Sequence, residues 1–163
     1  MKTTFPSLCV HLLFTLGLWS CTDSGTRIPF VTKPITEDFS NIVDIPTRWA
    51  AYNLKDYVIE QEMLCFCVYR GVCKVVVRNG TVIDVIRQSD GVSIITEAGR
   101  YKSVELLFSF AESVHPDSVA QLIGQYDARF GFPRYGYIDY DAGVADEELG
   151  YRTYSIERVV RWY

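Results

Sequence analysis

One short run constrains the fold of this chain more than any other: Lys74-Val75-Val76-Val77-Arg78-Asn79-Gly80-Thr81-Val82-Ile83. Asn-Gly between β-branched runs calls for a type I′ hairpin, because both turn residues need positive φ and the turn matches the twist of the strands. A two-residue loop pairs Val77 with Val82 and Val75 with Asp84, and places Cys73, Val75, Val77, Val82 and Ile86 on one face. The stretch before it also alternates. Tyr57, Ile59, Met63, Cys65 and Cys67 share a face that Gln61 interrupts, while Glu60 and Glu62 point the other way. Three strands with one common core face follow.

The flanks complete the pattern. Asp44 or Thr47 can cap a short helix that holds Pro46 in its first turn and Trp49 and Tyr52 on one side. Val104, Leu107, Phe108, Ala111 and Val114 form a helical stripe within 103–114, and His115-Pro116-Asp117 stops it. Strands are expected over 120–126, 135–141 and near 151–159, with turn chemistry at Asp127, Gly131 and Pro133. The order is α-βββ-α-βββ. That predicts an α+β fold with an antiparallel sheet of about six strands and two helices packed on one face.

The N-terminus reads as an address. Lys2 precedes a short apolar run from Leu8 to Trp19. Twelve residues of helix span about 18 Å, short of the ~30 Å of a bilayer core, so residues 1–20 fit a signal peptide better than an anchor. Leu18-Trp19-Ser20-Cys21 resembles a lipobox, although Trp19 is larger than the residue usual there. Cys21 is then the lipidation site and the first mature residue. Residues 21–45, with Pro29 and Pro34, read as a flexible tether, and 46–163 as one domain. The expected location is the bacterial cell envelope, with the membrane held through the N-terminal lipid.

Composition narrows function. Apolar residues make up 48% of the 163 and charged residues 22%, enough for a core. The net charge of −4 becomes −5 when residues 1–20 leave, since they carry one lysine and no acid. Such a chain has no basic field for nucleic acid. Loss of His11 leaves His115 as the single histidine of the mature chain, best placed as a cation at a helix C-terminus. No Gly-x-Ser-x-Gly, phosphate loop or His-Glu-x-x-His occurs, and no cofactor is implied.

Three candidate sites remain. Cys65 and Cys67 would lie about 6.5–7 Å apart in a regular strand, so their bond needs a bulge or turn. Cys67–Cys73 fits a hairpin better and would contribute roughly 2–3 kcal/mol. Reduced thiols, or a soft-metal or redox site, are the other readings. Asp139, Asp141, Asp146, Glu147 and Glu148 could hold a hard cation, though Gly143 and Gly150 break the EF-hand pattern, and a solvated loop is the plainer reading. Tyr126, Phe130, Phe132, Tyr135 and Tyr137 could form a recognition face, against plain cross-strand packing.

Several stretches carry a resemblance. They are Trp49…Asp56-Tyr57, Cys65-Phe66-Cys67, Val75-x-Val77-x-Asn79-Gly80-x-Val82, Val104-Glu105-x-Leu107-Phe108, Tyr126-Asp127-x-x-Phe130-Gly131-Phe132-Pro133, and Asp139-Tyr140 with Asp146-Glu147-Glu148. In this order they resemble a bacterial exported-protein family, domain-of-unknown-function family six-one-seven-four, over roughly residues 48–156. The resemblance implies a lipoprotein and brings no activity with it. The family pattern has the Cys-x-Cys pair, and Cys73 is an addition to it. The leading expectation is a lipid-anchored, non-catalytic binding or structural module for an envelope protein or ligand. The alternative is a thiol- or metal-handling protein using Cys65, Cys67 and Cys73. A small exported enzyme using the acidic cluster is a third, weaker reading.

Overall fold

A computed structural model describes residues 29–67 and 71–163. Residues 1–20, read from the sequence as a signal peptide, and Cys21 lie outside the described residues. Among the described residues, nine α-helices and β-strands follow one another: β1 (Phe30–Lys33), α1 (Ile45–Ala51), β2 (Tyr57–Leu64), β3 (Val72–Arg78), β4 (Thr81–Arg87), α2 (Val104–Glu112), β5 (Gln121–Tyr126), β6 (Pro133–Asp139) and β7 (Leu149–Trp162). The strands form one seven-stranded sheet, β4-β3-β2-β7-β6-β5, with β1 also on β7 and every pairing antiparallel. The antiparallel sheet with two α-helices agrees with the expectation. The seventh strand comes from β1, inside the segment read as a tether. There Phe30 pairs with Trp162, Ile35 is buried and Phe39 packs edge-on against Tyr52, so ordered packing begins before residue 46.

The hairpin forms as its sequence demands. Asn79 and Gly80 take φ of 50° and 74°, and Val77 pairs with Val82. One step further the register slips. Val76 faces Asp84 and Val75 faces Val85, so the expected Val75–Asp84 pair is not made. The extra residue in β4 is a β-bulge, and it reverses the parity beyond it. Val85 therefore enters the main core, while Ile86, expected there, joins Val58, Val76 and Val159 in a separate cluster. Asp84 is buried at the bulge, where its carboxylate accepts from the Val85 N–H and the Ser93 hydroxyl.

Helix α1 starts as read: Asp44 accepts from the Thr47 N–H at 3.0 Å, with proline in the first turn. Ser103 caps α2 by accepting from the Leu106 N–H. Trp49 of α1 and Val104 of α2 share the main buried cluster with Tyr57, Ile59, Val75, Val77 and Phe132. Leu107 packs with Met63 and Tyr151. Gln61 does not interrupt this face. It is fully buried, and its amide bonds both the carbonyl and the N–H of Lys102. A buried amide is tolerated because both of its ends are met.

Strand β7 organises the rest. It pairs with β2 from Gly150 to Arg158 along one edge. Its other edge takes β6 over Leu149–Arg152 and β1 over Arg158–Trp162. Residues 153–157 thus lie between two partners on that edge and touch neither in register.

Candidate binding face

The side chains of β6 alternate. Ile138 is fully buried, and Gly136 lies beneath the Phe110 ring of α2, where an added Cβ would meet the ring at 3.5 Å. Tyr135 and Tyr137 therefore point away from α2. On β7 the same rule buries Tyr151 against Phe110 and turns Arg152 outward, opposite Tyr135 and Glu62. A bulge between β2 and β7 inserts Tyr154, whose hydroxyl donates to Glu62 Oε2 at 2.6 Å. The Arg152 guanidinium sits 5.4 Å from the Tyr135 ring centroid and 3.7 Å from Glu62. Ser155 donates to Glu60 at 2.9 Å. Three tyrosines, an arginine and two carboxylates thus occupy one half-buried surface.

Tyr154 lines two depressions. One, of about 510 Å³, includes Gln125, Arg134, Tyr135 and Arg152. The other, of about 540 Å³, includes Phe30, Val58, Glu60, Lys74 and Phe130. A third, of about 460 Å³, lies where Tyr137 meets Glu62, Cys65, Phe66 and Glu148. Volumes of this size hold small molecules or single side chains. The electrostatics fit a charged, structured surface. Desolvation and then the Glu148 and Asp139 carboxylates push the Tyr137 hydroxyl up, while the Tyr154 hydroxyl and Glu62 hold the Arg152 guanidinium more firmly protonated.

The five aromatic candidates separate. Tyr135 and Tyr137 lie on this face. Phe132 is core, stacked at 6.0 Å on Phe130, which in turn lies under the Arg129 guanidinium. Tyr126 is exposed but stacks on Phe108 of α2 at 6.1 Å. Sequence reasoning missed Arg134, Arg152, Glu60 and Glu62 as members of the surface. The alternation of 152 and 154 carries the signal, but the bulge that leaves Tyr154 without a partner on β2 and sets Ser155 opposite Glu60 has no mark in the sequence.

The cysteines differ from expectation. Cys65 and Cys67 have their sulfurs in bonding contact, with Cα atoms 5.2 Å apart. The bend after Leu64 supplies the turn such a pair needs. The favoured Cys67–Cys73 pair is not made. Cys73 lies on β3 opposite Gln61, buried in the core, with its Sγ 3.1 Å from the Tyr101 hydroxyl. Cys67 lies beyond the end of β2 and cannot oppose it.

The acidic candidates do not converge. Glu147 accepts from the Asp141 N–H, and Asp141 accepts from the Gly143 N–H at 2.9 Å. Their carboxylates are spent on loop backbone. Among the described residues, no group of three or more His, Cys, Asp or Glu side chains could hold a metal ion. His115 is not a helix C-terminal cation either: α2 ends at Glu112, and His115 Nδ1 accepts from the Asp117 N–H to cap the next short turn.

A family model covers residues 43–159, from the approach to α1 through most of β7. The chain belongs to the family of unknown function DUF6174. No curated protein and no solved structure matches it. The matched span of this DUF6174 chain contains Tyr135, Tyr137, Arg152 and Tyr154, while β1 lies outside it. Chemically, the face offers aromatic planes, the Arg152 guanidinium held over the Tyr135 ring, and carboxylate acceptors. These groups suit recognition of a mixed polar and apolar ligand.

Proposed function

We propose that this DUF6174 chain is an exported, lipid-anchored envelope protein acting as a non-catalytic binding module, with the face of β5, β6 and β7 as its recognition surface. Both helices belong to the opposite side. Trp49, Val104 and Leu107 share clusters with Tyr57, Ile59, Met63 and Tyr151, so α1 and α2 leave Tyr135, Tyr137 and Tyr154 uncovered. The carrying observation is the convergence of those tyrosines with Arg152 and Glu62 beside three depressions. Rigid aromatic groups with polar tips give contact area at low entropic cost. The lipobox-like Leu18-Trp19-Ser20-Cys21 supports anchoring, and two or more acyl chains would make it stable. The reading as a thiol- or metal-handling protein is weaker, because Cys73 is in the core with Tyr101 and not with the Cys65–Cys67 pair.

Labelled palmitate tests the anchor. In a bacterial host the wild-type chain should take up the label and fractionate with membranes, and Cys21→Ala should do neither. An unlabelled, soluble wild type would overturn the anchor. Recovery of a stoichiometric ligand or partner from envelope extracts tests the face. It should be lost in Tyr137→Ala/Tyr154→Ala, and equal recovery by that variant would remove the face from the proposal.

A further inference from the structure

We infer that the pocket where β6 parts from β7 is a site for a small organic monocarboxylate with a planar apolar body. The inference rests on the binding-face reading and names the ligand class of one part of it. Strand β6 pairs with β7 only as far as Tyr135 opposite Arg152. Beyond that point the strands separate, and a pocket of about 510 Å³ opens between Arg134 and Tyr135 on one side and Arg152 and Tyr154 on the other, with Gln125 and Ile123 of β5 at its edge.

The charge of the pocket selects the ligand. Arg134 has no acidic partner among the described residues and is exposed at the mouth. Arg152 is held over the Tyr135 ring and is partly neutralised by Glu62 at 3.7 Å. Two guanidinium groups against one carboxylate leave a net charge of about +1, which matches a single carboxylate better than a phosphate dianion. Guanidinium forks bind carboxylates in bidentate geometry, and the Gln125 amide adds a donor that needs no charge. The rings of Tyr135 and Tyr154 and the Ile123 side chain provide apolar surface for a flat body. Thr153 also lines the pocket.

The test is a titration of the purified full chain, by amide chemical-shift changes, with benzoate as probe, benzamide as its neutral counterpart and inorganic phosphate as a competing anion. A ligand of benzoate's size should bind with Kd on the order of 1 mM. Shifts should centre on residues 123–125, 134–135 and 152–154. Benzamide and phosphate should each bind about tenfold more weakly or not at all. Arg134→Gln, at an exposed position where folding is not at risk, should weaken benzoate by about tenfold while leaving the unfolding midpoint unchanged. Equal binding of benzoate and benzamide, tighter binding of phosphate, unchanged affinity in Arg134→Gln, or no saturable benzoate binding would each overturn the inference. The wider binding-face reading fails separately, through the envelope extracts and Tyr137→Ala/Tyr154→Ala.

Discussion

Glu105 and Tyr57 show how single side chains join the layers of this fold. Glu105 stands in the first turn of α2, where a negative charge is favoured by the helix dipole. One of its oxygens accepts from the Trp49 indole at 3.2 Å and the other from the Tyr57 hydroxyl at 2.7 Å. That hydroxyl also accepts from the Val104 N–H at 2.9 Å, so a strand residue serves one of the open backbone donors of the helix. Tyr57→Phe keeps the ring and removes the link. It leaves the buried Val104 N–H without its acceptor and should cost about 1–3 kcal/mol, read as a lower urea midpoint at unchanged slope. A midpoint equal to wild type would mean the hydroxyl is replaced without loss. Tyr57 is legible in the sequence as a core residue, but its second role is not, because Glu105 and Val104 are brought to it only by the packing of α2. Gln61 teaches the same lesson. A polar residue in an apolar row reads as a break until its partner, the backbone of Lys102, is in place.

Among the elements, local signals were readable and distant pairings were not. The Asn79-Gly80 turn, the Asp44 cap and the stripe of α2 are encoded within a few residues each, and all are present. Strand β1 is four residues long, and its partner, β7, ends the chain. Nothing near Phe30 announces that Trp162 will lie beside it, so a Pro-bearing segment reads as a tether. Bulges are equally silent: the one in β4 exchanges Val85 for Ile86 in the core. The turns can be tested at their glycines. Gly80 has φ +74° and open space where a Cβ would go, so Gly80→Ala should cost only the left-handed backbone penalty, about 1–2 kcal/mol. Gly131 has φ +80° and lies against α1, where a Cβ would meet the Ile45 carbonyl oxygen at 2.9 Å and Arg48 Cβ at 3.3 Å. Gly131→Ala should cost a further 1–3 kcal/mol or so for overpacking. Thermal unfolding of the two variants checks the order, and equal destabilisation would show that the 127–133 turn yields freely.

At the scale of the whole molecule, the candidate face was legible as a Tyr-rich region and not as a surface, because only the sheet decides which tyrosines share a side. Tyr151 went inward and Tyr135, Tyr137 and Tyr154 outward. Burying tyrosines in this way also sets how the protein responds to alkali. The Tyr151 hydroxyl donates to the Arg100 carbonyl at 2.9 Å, and burial pushes its pKa up to about 12 from an ordinary 10.0. Burial, followed by the Glu105 carboxylate, pushes Tyr57 up as well. In both cases the folded state holds the proton more tightly than the unfolded chain, so stability falls as pH rises through this range. The contribution is fully present below pH 10, the unfolded value, and for Tyr151 it is lost progressively as pH climbs towards 12. Unfolding midpoints measured at steps across that window should therefore fall, and Tyr151→Phe, which cannot ionise, should flatten the decline. If Tyr151→Phe and wild type decline in parallel, the alkaline limb belongs to other groups, and Tyr57→Phe run over the same window separates its share from theirs.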